Sequence, residues 1–205
     1  MPGWLRCAVA VVCVWVPSAP AGADISAVVQ STYADFSVSA PTPTTVFVCH
    51  GYGCRFRNEV DFSGADRATL TRFLVAGHGS AAAERRAVAA AGAWFDRRIA
   101  VDAGTKGHVA RAGMSHMNEA DQFDCIDSSR NTTSLLLVLE ELHLLRFHDV
   151  DPPEARGHLF DGRPPHATAV LIEKASGVRW SVDSWTRGYG QPPEVMPLAL
   201  WETLD

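Results

Sequence analysis

An α+β fold, with helices laid over one side of an antiparallel sheet, is predicted by three features of the sequence. Apolar residues recur at helical spacing through the middle of the chain, alternation of period two takes over beyond Asp149, and glycine-containing reversals join short β-prone runs in pairs. A run of helices followed by hairpin strands, with one hairpin ahead of them, is the pattern of segregated helices and sheet rather than of alternating βαβ units.

The chain opens MPGWLRCAVAVVCVWVPSAPAGAD, with an early charge at Arg6, an apolar run from Cys7 to Val16 and the small triplet Ala21-Gly22-Ala23. This order is that of a cleavable secretory signal covering residues 1–23, with 24–205 expected to be a single domain. The apolar run falls short of the roughly 20 residues that span a bilayer, so no integral membrane segment is expected after cleavage. A short helix is predicted from Ile25 to Phe36, and Pro/Thr-rich Ser39 to Thr45 reads as a stiff lead-in to a strand.

The first hairpin is placed at Val46 to Phe62, where His50-Gly-Tyr-Gly separates two β-prone runs and glycine supplies the positive φ of a tight reversal. DRATLTRFL begins helical. Ser80 to Val101 has a capping serine, Glu84 in its early turns, and Val88, Ala91, Phe95 and Ile99 on one face. Gly104 to Gly113 breaks the pattern and reads as loop. A further helix is predicted from Cys125 to about Leu145, with Leu135, Val138, Leu139 and Leu142 recurring at helical spacing. Asp151-Pro-Pro and Asp161-Gly-Arg-Pro-Pro read as loop punctuation. The last two predicted strands, Ala167 to Glu173 and Val178 to Trp185, are joined as a hairpin through Lys174 to Gly177.

Composition removes several functional classes. A net charge of −5 without a basic cluster gives nothing to attract a phosphate backbone, so nucleic acid is not an expected partner. Apolar content of 47% is that of a chain with a core. No cofactor is called for: Cys49-His50 lacks the Cys-x-x-Cys-His of haem attachment. No metal site is expected, because the pairs His108/His116 and His143/His148 lack the i, i+4 spacing that would set two ligands on one helical face.

The five cysteines are more informative. Cys7 and Cys13 leave with the signal, and Cys49 and Cys54, expected to face each other across the first hairpin, are predicted to form a disulfide. Cys125 is left over, either as an intermolecular partner or as a reactive thiol, unless it pairs with Cys49 or Cys54 instead. At a helix N-terminus the free amides favour the thiolate. Such a nucleophile needs a base, and the base needs an acceptor to fix its tautomer. His166 opens one strand of the second hairpin and Asp183 lies near the end of its partner, positions expected to fall opposite each other. Asp124 and Asp127 beside the thiol work against activation unless they cap helix amides and point outward. Gln122 lies only three residues before the cysteine and is not assigned to the site. The backbone N–H of Cys125 is the expected oxyanion donor, with the second unidentified. Asn131-Thr-Thr133 matches a glycosylation sequon but falls inside the predicted helix.

The cysteine heading a helix, the histidine starting a strand and Val182-Asp-Ser-Trp185 on the next strand together resemble the transglutaminase-like branch of the papain-like superfold, over roughly Gln122 to Trp185. Cys125-Ile-Asp127 is similar to that branch's active-site helix start, and Asp183-Ser-Trp185 to the Asn-Ser-Trp of papain-type peptidases. Bacterial transglutaminase-like cysteine peptidases are the members it looks most like. The resemblance implies a nucleophile helix packed on an antiparallel sheet, a triad of Cys125, His166 and Asp183, a shielding role for Trp185, and acyl transfer through a thioester on a peptide or protein substrate. It implies a thiol hydrolase, periplasmic or secreted, acting on a peptide, isopeptide or amide bond. The alternative is a non-catalytic exported module that binds a peptide or envelope partner on the same fold.

Overall fold

The computed structural model describes residue 33, residues 39–157 and residues 164–204. The expected signal segment lies outside these residues, as does the helix expected from Ile25 to Phe36 apart from Tyr33, which is buried with its hydroxyl 3.0 Å from Ser134 Oγ.

The architecture is mixed α+β with two antiparallel sheets. A hairpin of β1 (Thr45–His50) and β2 (Phe56–Asp61) is followed by α1 (Gly64–Ala76) and α2 (Ala81–Ala103). An irregular stretch with one 3-10 turn (Met114–His116) leads to α3 (Cys125–Glu141). A four-stranded meander then runs β3 (His148–Arg156), β4 (His166–Glu173), β5 (Arg179–Asp183), β6 (Glu194–Pro197), and α4 (Leu198–Trp201) closes the described chain.

Local chemistry sets the helix ends. Ser63 and Asp66 form a reciprocal capping box at the start of α1, and Ser80 Oγ accepts from Ala83 N–H at 3.1 Å at the start of α2. Gly104 ends α2 at φ +72°, the left-handed conformation that glycine adopts without steric penalty. Helix α3 stops at Glu141 rather than near Leu145, because His143 turns the chain at φ +56°; Leu144 and Leu145 stay buried beyond the helix.

The expected apolar stripe on α3 understates its burial. Helix α3 lies between the hairpin and the meander, so Leu136 and Leu137 are buried along with Leu135, Val138 and Leu139. One core runs from Val46 and Val48 through these leucines to Ala169, Leu171 and Val182 of the sheet. Val170 points the other way and joins Leu198 and Trp201 in a smaller cluster on the opposite face.

Two strands lie where loops or nothing was expected. Strand β3 passes through Pro152-Pro153, and its pairing with β4 shifts register between Asp151 and Glu154. Proline has no N–H to give a ladder, but β3 is an outer strand and the irregularity falls where the donors are missing. Strand β6, the other outer strand, ends at Pro197.

Among the described residues no helix is long and apolar enough to cross a membrane.

Candidate active site

Cys125 is the first residue of α3, and Asp124 is its N-cap. Asp124 Oδ1 accepts from Asp127 N–H at 2.8 Å and Asp127 Oδ2 accepts from Asp124 N–H at 3.4 Å. The expectation that both aspartates point outward is corrected for Asp127, which is 0% exposed. Its carboxylate turns toward the first hairpin and accepts the N–H of Tyr52 at 2.8 Å and of Cys54 at 2.6 Å, while Asp124 Oδ2 accepts the N–H of Gly53 at 2.9 Å. These amides converge because Gly51, Tyr52, Gly53 and Cys54 all have positive φ, between +60° and +76°. A left-handed turn presents successive N–H groups on one side, which is an anion-binding concavity. Burial, and then the neighbouring charge of Asp124, push the Asp127 carboxyl up to about 7 despite these donors.

The disulfide Cys49–Cys54 closes this turn. Its placement differs from the expected cross-ladder pair: Cys49 is opposite Arg57 in the register, and Cys54 sits beyond the last pair, His50–Phe56, in the turn itself. Cys125 is a free, half-buried thiol, so it is not a partner of either.

Several polar side chains of α3 bond to the hairpin, to the sheet or to the helix's own backbone. Asn131 bonds the Cys49 backbone, Thr133 Oγ1 donates to Ser129 O at 2.8 Å, and Thr132 Oγ1 lies 2.8 Å from Ser184 Oγ. Ser184 Oγ also donates to Ser128 O at 3.4 Å. Ser184 thus ties the end of β5 to the cysteine helix, between Asp183 and Trp185.

His166 Nε2 and Asp183 Oδ2 are 2.6 Å apart, both buried. They are diagonal neighbours rather than opposite ones: Ala169 pairs with Val182, and continuing that register sets Thr168 against Asp183. Side chains two apart share a face, so the longer imidazole still reaches the carboxylate. Trp185 packs on the imidazole with ring centroids 4.8 Å apart.

The thiol meets the backbone on either side of His166. Cys125 Sγ donates to Pro165 O at 3.9 Å, and the Ala167 N–H points at the sulfur. It fits there because β4 and β5 begin to pair only at Ala169, leaving the β4 backbone before it open on that side. No hydrogen bond joins the sulfur to the ring, and His166 Nδ1 is buried without a partner among the described residues. Contrary to the depression expected at a helix N-terminus, burial above all pushes the Cys125 thiol up; the charges of Asp124 and Asp183 add to this, against donation from the Ala167 and Cys125 amides.

Gln122 is buried and committed elsewhere, with Oε1 accepting from Val109 N–H and Nε2 donating to Gly107 O, both at 3.0 Å. Trp201 was not singled out from the sequence. It is 1% exposed, its Nε1 donates to Asp183 Oδ2 at 2.8 Å, and its ring lies 5.3 Å from that of His166. Nothing in Leu198-Ala-Leu-Trp201 distinguishes this indole from a core tryptophan. A cavity of about 220 Å³ opens beside these groups, lined by His166, Asp183, Trp185, Trp201, Arg111 and Thr186 among others.

Comparison of the chain with family models, with curated proteins and with solved structures finds no match.

Proposed function

We propose that this chain is an exported cysteine-dependent acyl-transfer enzyme with a papain-like, transglutaminase-like arrangement of nucleophile helix and sheet. The single observation that carries this reading is the 2.6 Å His166–Asp183 pair, with the other ring nitrogen unengaged, on a strand whose backbone beside His166 touches the free thiol at the start of α3.

In this mechanism Asp183 accepts from His166 Nε2 and so leaves Nδ1 as the basic nitrogen. The resting thiol is neutral, as its burial favours, and passes its proton to Nδ1 as the sulfur attacks the carbonyl carbon of a peptide, isopeptide or amide. The oxyanion meets the Cys125 N–H, which as the first amide of α3 has no helical acceptor. His166 returns the proton to the departing amine, and water, activated by the same imidazole, hydrolyses the thioester. The short closure of sulfur on the ring belongs to substrate binding, since such bonds are loose in the free enzyme. The Cys49–Cys54 disulfide supports a periplasmic or secreted location.

The raised thiol and the missing sulfur–ring bond favour a second reading, a binding module on the same scaffold. Iodoacetamide labelling at neutral pH separates the two. Fast modification of Cys125, slowed in His166→Ala, is the result expected of the enzyme; labelling no faster than that of a free thiol overturns it in favour of the binding module.

A further inference from the structure

We infer that Trp201 is a positioning residue for the triad: its indole N–H selects which oxygen of Asp183 serves the imidazole and holds that oxygen in place. The inference deepens the cysteine-enzyme reading above and rests on it for its catalytic consequence.

Two donors converge on one atom. His166 Nε2 lies 2.6 Å and Trp201 Nε1 2.8 Å from Asp183 Oδ2, while Oδ1 is buried with no partner among the described residues. A carboxylate with one donor can turn about its terminal torsion and offer either oxygen, since that torsion is broad and roughly two-fold. A second donor on the same oxygen removes this freedom.

Trp201 is itself held from the sheet. Arg156 is the register partner of His166 on the neighbouring strand, so its side chain starts beside the imidazole. Its guanidinium lies 4.5 Å over the Trp201 ring, and its Nη1 donates to Trp201 O at 2.7 Å and to Leu204 O. The indole is therefore clamped on its ring and on its backbone by a residue one strand from the site. Trp185 contributes differently: its ring packs at a tilt against the same imidazole, but its Nε1 is buried without a partner among the described residues.

The test uses the full chain and the proton nuclear magnetic resonance signal of the imidazole N–H between His166 and Asp183, which a short hydrogen bond moves far downfield and which His166→Ala identifies by its loss. Trp201→Phe keeps an aromatic ring against His166 and removes the donor. The expected result is a displaced downfield signal, together with Cys125 alkylation slowed about tenfold at neutral pH, the effect of losing one hydrogen bond to a charged group. Should the phenylalanine variant fail to fold, replacement of the indole by benzothiophene keeps shape and burial and deletes only the N–H. A folded variant with the signal unmoved overturns the inference. Failure of the enzyme reading looks different: the wild-type thiol then alkylates slowly, while the signal still responds to the loss of the indole N–H.

Discussion

Asn131 and Cys49 hold each other through both polar groups of each: the Cys49 N–H donates to Asn131 Oδ1 at 2.8 Å, and Asn131 Nδ2 donates to Cys49 O at 2.8 Å. The pair joins the cysteine helix to the disulfide hairpin in a fully enclosed setting, which is why Asn131, despite its sequon, has no room to carry a sugar. Asn131→Leu strands both backbone groups and is expected to lower stability by about 3 kcal/mol. Urea denaturation checks this; a loss under about 1 kcal/mol would mean that the hairpin shifts and rehydrates.

The disulfide closes a small loop, so the chain-entropy account gives it about 2 kcal/mol. Its local effect is on the left-handed turn, where Tyr52 and Cys54 need a conformation that residues with a side chain seldom adopt. Cys49→Ser with Cys54→Ser is expected to lower the thermal midpoint and to raise hydrogen exchange at the Tyr52, Gly53 and Cys54 amides. Unchanged protection there would show that Asp124 and Asp127 hold the turn unaided.

Asp127 gives stability an unusual pH dependence. Its folded value lies near 7, above the ordinary carboxyl value of 3.8, so the folded state binds the extra proton between them. The contribution is complete below about 3.8 and is lost as pH rises toward about 7. Asp127→Asn cannot titrate, so the stability advantage of wild type over this variant is expected to shrink as pH rises through that window. Denaturation at several pH values tests it; a constant difference removes the coupling.

Glu84 works with the opposite sign. It is 0% exposed and accepts the N–H groups of Arg146, Phe147 and His148, at 2.7 to 3.1 Å, and the His148 ring at 2.9 Å. Burial alone would raise it, but those donors outweigh burial and hold the carboxyl below its ordinary 4.5. Its contribution is present above the unfolded value and lost as pH falls through the folded one. Arg85 Nη1, always a donor, lies 3.1 Å from His148 Nε2, which assigns the ring proton to Nδ1, facing Glu84. Glu84→Ala leaves that group of donors empty and is expected to cost about 3–5 kcal/mol by calorimetry, with the acid-side loss of stability reduced.

What the sequence discloses here depends on how local the cause is. Ser80 and Gly104 bound α2 through contacts within a few residues, so the helix could be read directly. His166 and Asp183 were legible because hairpin partners are near in sequence, although their diagonal relation needed the register. Strand β3 was hidden because two prolines signal a loop unless one knows that the strand is an outer one. Asp127 looked like a surface cap because the hairpin amides that bury it lie more than seventy residues upstream. Trp201 carried no signal at all: its role follows from where a short closing helix lands on the sheet.

The meander has prolines in both of its outer strands, Pro152 and Pro153 in β3 and Pro197 in β6. Proline on an outer strand interrupts the regular row of donors that a visiting polypeptide would need in order to dock as a fifth strand. These edges are therefore poor templates for lateral growth, and the molecule resists joining others like it into ribbons.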